Sequence, residues 1–182
     1  MSSRSTLRII LTAMFAALIC VATMFIRIPT GSTGGYANAG DGLMLTAAFL
    51  LPPGCAAIAA GVGSMLSDLL AGYMSYVPGT LVIKGVATLI AALICRRSFR
   101  FSRLTGAILC ELFMVAGYLL YESLLLSYGA GALSSVPANL AQGAVGRALA
   151  LNEDESFFAL REKTLQSLES LNGNASVAAA AA

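Results

Sequence analysis

Five ionisable side chains interrupt the otherwise apolar stretches of this chain, and they are the residues best placed to do chemistry. They are Asp41, Asp68, Lys84, Glu111 and Glu122. A charged side chain at the centre of a membrane-spanning helix costs roughly 2.5–3.5 kcal/mol, so such residues normally face a bundle interior or a water-filled cavity. The sequence contains no histidine, which removes the commonest general base and metal ligand.

The elements that carry these residues are apolar segments separated by breaks rich in glycine and proline. The chain is 58% hydrophobic and 11% charged, whereas a soluble domain carries about 25% charged residues. A helix that spans a bilayer needs about 20 residues. Four segments reach that length when their flanks are included: 7–28, 55–72, 80–95 and 104–128. Two are shorter: 43–51 and one that begins near residue 138.

This pattern predicts an all-α integral membrane protein, a compact bundle of six transmembrane helices formed by residues 1–151. In lipid, helices satisfy the backbone hydrogen bonds internally. Residues 152–182 differ, because apolar residues recur there at roughly helical spacing among charges. We expect this tail to be cytoplasmic, and either amphipathic or disordered.

The basic residues predict the orientation of the bundle. They collect before the first segment, at Arg4 and Arg8, and between the fourth and fifth segments, from Arg96 to Arg103. Positive charge is retained on the cytoplasmic side, and four spans separate the two groups. Both groups therefore place the N-terminus in the cytoplasm.

With this topology, polar and aromatic residues from five segments fall in the outer half of the membrane, and only Glu111 lies deeper. Ring surfaces and a few placed polar groups are typical of a small-molecule pocket. The candidate substrate-binding residues are Tyr36, Asn38, Asp41, Asp68, Tyr73, Tyr76, Lys84, Tyr118, Glu122, Asn139 and Gln142.

Each candidate also has a purely structural interpretation. Asp68 and Lys84 could be an ion pair between the third and fourth helices, and Asp41 could cap the second helix. The tyrosines could belong to an interfacial belt. Asn139 and Gln142 could form hydrogen bonds between helices.

Small residues in the first segment indicate a close helix contact. Ala13 and Ala17 form an AxxxA pattern, which suits either packing inside the bundle or docking of another membrane protein. The four cysteines include no CxxC pair, so we expect no metal site.

Two rival functions compete with ligand capture. Asp41 and Asp68 could act as the acid–base pair of an intramembrane aspartyl protease, but the stretch Asn38-Ala39-Gly40-Asp41 lacks the first glycine of the GxGD signature. A pore-forming or purely structural bundle is the second rival. A pore would carry polar residues along its whole axis, whereas here they gather at one end. We therefore predict a protein that is not an enzyme.

Several stretches resemble the S components of energy-coupling factor (ECF) vitamin importers, in the branch for riboflavin, hydroxymethylpyrimidine or pyridoxine. The resemblance covers about residues 5–150. It rests on AMFAA at 13–17, GGYANAGD at 34–41, SDLLAGY at 67–73, TLVIKG at 80–85 and PANLAQG at 137–143.

This resemblance implies a multi-pass protein of a prokaryotic cell membrane, with six helices and an outward-facing vitamin site. Ala13 and Ala17 match the family's docking motif for a transmembrane coupling subunit, and two cytoplasmic ATPases complete the importer. Delivery would occur by toppling of the whole S component. We expect hydroxymethylpyrimidine or a B6 vitamer first and riboflavin second, with no cofactor and no nucleic acid.

One departure from the family concerns the sixth helix. Arg147 and the acidic stretch 152–155 interrupt its apolar character. The inner half of that helix is therefore expected to differ from the family pattern.

Overall fold

The computed structural model describes residues 3–25, 27–29, 36–38, 40–97 and 102–151, so the predicted tail lies outside the described residues. Six α-helices and two short strands account for most of this part of the chain. In chain order they are α1 (Ser3–Phe25), β1 (Arg27–Pro29), β2 (Tyr36–Asn38), α2 (Gly40–Leu50), α3 (Pro53–Leu70), α4 (Val77–Ile94), α5 (Ser102–Leu120) and α6 (Val136–Leu151). Between α5 and α6 lie a π-helical turn, Tyr121–Leu125, and a 3-10 helix, Gly129–Ser135.

The prediction of a helical membrane protein is confirmed, because α1, α3, α4 and α5 with its π-helical turn are each long and apolar enough to cross a bilayer. The other two helices are shorter, with 11 residues in α2 and 16 in α6. The predicted six helices therefore all form within the described residues, whereas six complete spans remain a prediction.

The break between α1 and α2 contains the one departure from a wholly helical fold in the described ranges. Strands β1 and β2 pair antiparallel, with Arg27 opposite Asn38 and Pro29 opposite Tyr36. The sequence predicts only a break rich in glycine here. Three-residue strands are too short to show the alternation of polar and apolar residues that identifies a strand in sequence.

Small residues bring α1, α3 and α4 into backbone contact. A Cβ built on Gly61 would lie 2.8 Å from the Leu81 carbonyl oxygen of α4, and one on Gly63 would lie 2.5 Å from the Ala16 carbonyl oxygen of α1. Helices in lipid associate through close packing because lipid tails are as apolar as leucine side chains. Glycine therefore sets the spacing at both contacts.

The two ends of the bundle are chemically different. At one end, here named the basic end, Arg96, Arg97 and Arg103 are exposed, and Arg96 Nη2 donates to the Leu51 carbonyl oxygen over 2.8 Å. This bond ties the α4–α5 connection to the end of α2. The opposite end, named the tyrosine end, carries Tyr73, Tyr76 and Tyr121.

Candidate functional site

A buried ion pair lies at the centre of the candidate site. Lys84 Nζ in α4 lies 2.6 Å from Asp41 Oδ1 in α2. Gln142 in α6 donates from Nε2 to the other carboxylate oxygen of Asp41. The exposed fractions are 0% for Asp41, 2% for Lys84 and 7% for Gln142. We call these residues the Asp41–Lys84–Gln142 triad. Both oxygens of the carboxylate are satisfied, as a charge buried away from water requires.

Local structure explains how Asp41 comes to lie against α4 and α6. Asp41 lies in the first turn of α2, where a carboxylate is favoured by the positive end of the helix dipole. The backbone of α6 comes close to it, since a Cβ on Gly146 would lie 3.0 Å from Asp41 Cβ. The capping role considered for Asp41 is therefore replaced by bonds from its carboxylate to two other helices.

Glu111 in α5 packs against α6 at the residue after Gln142, although sequence reasoning left it out of the candidate set because it lies deeper. Its side chain packs against Gly143, where an added Cβ would lie 2.6 Å from the Glu111 carboxyl carbon. Gly143 follows Gln142 directly in the chain. The only sequence signal for this approach was the charge of Glu111 inside an apolar run.

A second polar cluster lies at the tyrosine end, and we call it the Glu122 clasp. Tyr76 Oη donates to Glu122 Oε1 over 3.1 Å. Ser135 Oγ lies 2.6 Å from Glu122 Oε2 and 2.9 Å from the Ala132 carbonyl oxygen, and its single hydrogen is donated to the closer carboxylate oxygen. Glu122 is 3% exposed and Ser135 is 2% exposed. Sequence reasoning missed Ser135, because a serine in a turn-rich break carries no periodic or charge signal.

Two further tyrosine candidates, Tyr118 and Tyr73, lie around the same end. Tyr118 Oη donates to Thr80 Oγ1 over 3.0 Å, joining α5 to α4. The Tyr73 ring meets the Tyr76 ring edge-on, with ring centroids 6.5 Å apart.

Other candidates are more dispersed. Asp68 is buried in α3, and Asn139 is half-buried in α6. Tyr36 and Asn38 form β2 through their backbone, and their side chains lie outside the described part of the chain.

The predicted docking residues lie on the outside of the bundle. Ala13 and Ala17 are both exposed on α1, and Ala16 between them packs against Gly63 of α3. The AxxxA residues are therefore available to another helix and are not consumed by packing within the described bundle.

No group of three or more histidine, cysteine, aspartate or glutamate side chains is positioned to hold a metal ion in the described ranges. The site is instead a set of hydrogen-bond donors and acceptors: an ammonium, carboxylates, an amide and tyrosine hydroxyls. Such groups can orient a small polar ligand, because each offers a defined direction for a hydrogen bond.

Comparison with known proteins identifies the family. Residues 3–152 match the family model described as "ECF-type riboflavin transporter, S component". The chain is 30% identical over 151 residues to the thiamine precursor transporter HmpT of Lactococcus lactis subsp. cremoris, covering 82% of this chain and 87% of HmpT. It is also 38% identical over 114 residues to an uncharacterized protein of Pyrococcus woesei, covering 62% of this chain and 75% of that protein.

A solved structure shares the fold. Its description is "Structure and mechanism of the S component of a bacterial ECF transporter", and it superposes with a TM-score of 0.63 at 21% identity over 90% of this chain and 98% of that chain. The predicted resemblance is thus confirmed by the family model, by a relative and by the fold. The chain belongs to the family of ECF transporter S components, the non-catalytic membrane subunits that bind substrate.

Proposed function

We propose that this chain captures a small heteroaromatic vitamin or vitamin precursor, with hydroxymethylpyrimidine or a B6 vitamer favoured over riboflavin. The Asp41–Lys84–Gln142 triad carries this proposal, because three helices bring an acceptor, a cation and an amide together in a buried position. A pyrimidine with amino and hydroxymethyl substituents presents donors and acceptors around one ring. Such a ligand can exchange hydrogen bonds with each member of the triad.

The relative HmpT supports the order of ligands. HmpT is named as a thiamine precursor transporter, and its similarity covers most of both chains. The matching family model instead names riboflavin, so a flavin stays the second choice. Glu111 joins the triad as a proposed ligand-facing group, and Tyr36, Asn38, Asp68, Tyr73, Tyr118 and Asn139 remain proposed contacts.

In the importer that we propose, residues 1–151 lie in the plasma membrane as six helices. The basic end and the N-terminus face the cytoplasm. The concentration of arginine at that end supports this orientation. A transmembrane coupling subunit would dock on Ala13 and Ala17, and two cytoplasmic ATPases would drive toppling. The tail from residue 152 would extend into the cytoplasm.

The experiment that tests this proposal identifies the ligand on purified protein. Small molecules are extracted from the detergent-purified chain for mass spectrometry, and hydroxymethylpyrimidine, B6 vitamers and riboflavin are titrated by calorimetry. We expect one of them to bind with sub-micromolar affinity, and Gln142→Ala to weaken binding roughly tenfold or more, since a buried donor is lost. Arg97→Ala, an exposed change at the basic end, is the matched control.

Two outcomes would count against the proposal. If the folded protein binds none of a broad panel of vitamins, the proposed capture function is wrong for this chain. Equally strong binding in the Gln142→Ala variant would leave the capture function intact and show that the ligand binds outside the triad.

A further inference from the structure

We infer that Glu122 is a positioning residue: its clasp fastens the α3–α4 connection to the α5–α6 connection and makes them one fixed wall of the binding site. This inference rests on the proposed function for its ligand-binding consequence. It gives Glu122 and Tyr76 a task other than direct ligand contact. It also adds Ser135, a residue with no signal in the sequence.

The first observation is the geometry of the carboxylate. Each oxygen of Glu122 accepts a hydroxyl from a different element: Tyr76 at the start of α4 and Ser135 at the end of the 3-10 helix. These donors are 46 and 13 residues from Glu122 in the chain. A single buried side chain therefore joins three elements, and hydrogen bonds to a charged acceptor are stronger than those between neutral groups.

The second observation is the local backbone. Glu122 lies in the π-helical turn that follows α5, and π-helical turns are rare and frequently lie at functional sites. Leu124 and Leu125 in the same turn are 73% and 72% exposed, whereas Glu122 is 3% exposed. The turn thus directs one acidic side chain into the bundle while its leucines face outward.

The third observation is a parallel attachment through the neighbouring tyrosine. Tyr121 Oη donates to the Ser75 carbonyl oxygen over 2.6 Å. Its ring occupies the space beside Gly79, where an added Cβ would lie 2.6 Å from the ring. Consecutive residues of the π-helical turn therefore hold the same α3–α4 connection by two different bonds.

These contacts have a consequence for ligand exchange. A ligand that entered between the two connections would first have to break the bonds of Glu122 and Tyr121. A fixed wall instead holds its side chains in place beside the bound ligand and is not the route of entry, so loosening it should weaken the bound state and speed release while the entry rate stays unchanged. A gate would behave differently, because opening it speeds entry and release together.

The test begins with a measurement that needs no ligand. Hydrogen exchange of backbone amides is compared between wild type and Glu122→Gln, a change that keeps the shape and removes one acceptor. We expect the amides of residues 71–76 and 129–135 to exchange faster than in wild type, in both segments together. The exchange rate in the α2–α3 connection should not change. Tyr76→Phe and Ser135→Ala should each produce the same paired effect, which keeps the test decisive if Glu122→Gln does not fold.

Ser134→Ala is the matched control, because the Ser134 hydroxyl donates to Gly131 within its own 3-10 helix. It should leave residues 71–76 unchanged. Faster exchange in only one of the two connections, or in neither, would overturn the clasp whether or not a vitamin binds.

Stopped-flow kinetics with the vitamin that binds wild type then tests the wall. We expect each clasp variant to raise the dissociation rate roughly tenfold, the scale of one lost charged hydrogen bond, at an unchanged association rate. The double variant Tyr76→Phe/Glu122→Gln should add little to the single changes, because both remove one interaction. If Glu122→Gln loses affinity while Tyr76→Phe and Ser135→Ala do not, Glu122 contacts the ligand directly and the clasp is not a wall. If the association and dissociation rates rise by the same factor, the clasp is a gate.

Discussion

Burial of the Lys84–Asp41 ion pair makes each partner depend on the other. Removing one member of a buried pair leaves an uncompensated charge and costs about 3–5 kcal/mol, whereas replacing both is often neutral. We therefore expect Lys84→Met to lower the unfolding temperature strongly, and Asp41→Asn/Lys84→Met to recover most of it. The asparagine oxygen can still accept from Gln142.

Thermal unfolding in detergent, followed by far-UV circular dichroism, measures this recovery. Calorimetry with the bound vitamin separates stability from function, since both variants should lose affinity. A double variant as unstable as the single one would show that the pair is not an isolated unit. Full affinity in the double variant would show that the ligand does not use the pair.

Gly143 permits the close approach of α6 to Glu111. Because an added Cβ would lie 2.6 Å from the carboxyl carbon of the buried Glu111 side chain, Gly143→Ala should force that carboxyl group to move and destabilise the bundle by about 1 kcal/mol, the low end of the usual cost of overpacking. Gly54→Ala is the matched control: Gly54 lies in α3 with no atom within 4 Å of an added Cβ. Equal unfolding temperatures for the two variants would contradict the contact.

The Cys95 thiol supplies a pH-dependent readout at the basic end, just beyond the last residue of α4. Burial raises its pKa to about 11 from the ordinary 9.0, and nearby Arg103 and Arg96 lower it by less. Two pKa units reduce the thiolate fraction near neutral pH about 100-fold.

With the other three cysteines replaced by alanine, we expect the maleimide reaction of Cys95 to accelerate steadily up to about pH 10. A small reference thiol should instead level off above its own pKa near 9. A plateau near pH 9 for Cys95 itself would contradict the effect of burial.

Helix α1 divides its surface between the bundle and a proposed partner. Ala16 and Ile19 contact Gly63 of α3, whereas Ala13 and Ala17 are exposed. We expect Ala17→Phe to leave vitamin affinity unchanged and to reduce co-purification of the coupling subunit roughly tenfold or more, as for a central interface residue. Leu112→Phe on α5, where leucine is 53% exposed, is the matched control. Undiminished co-purification would place the docking surface elsewhere.

Orientation in the membrane is a property of the whole molecule. The positive-inside rule places the basic end in the cytoplasm, so the tyrosine end should face outward. In a cysteine-free background, Ser75→Cys should react with a membrane-impermeant maleimide in intact cells. Arg97→Cys should react only after permeabilisation. Both positions are exposed, so the reverse labelling pattern would invert the orientation and the direction of capture.

The length and the apolar character of the segments are sufficient to predict the helices and most of their extents. The predicted segment 80–95 became Val77–Ile94, and the segment 104–128 became Ser102–Leu120 with the π-helical turn. These agreements follow from local physics, because a run of apolar residues in lipid must satisfy its own backbone. The sequence also identified which charges lie within apolar segments, and its motifs indicated the S-component family.

Only the tertiary structure decided which of these residues meet. Lys84 pairs with Asp41 across 43 residues, and Gln142 reaches Asp41 across 101. Glu122 accepts from Tyr76 and Ser135, which belong to different elements. Such pairings depend on the rotation and depth of each helix, which are set by contacts such as those of Gly61, Gly63 and Gly146 with neighbouring helices. A sequence pattern gives the periodicity of one helix at a time, so it cannot specify how two helices are rotated against each other.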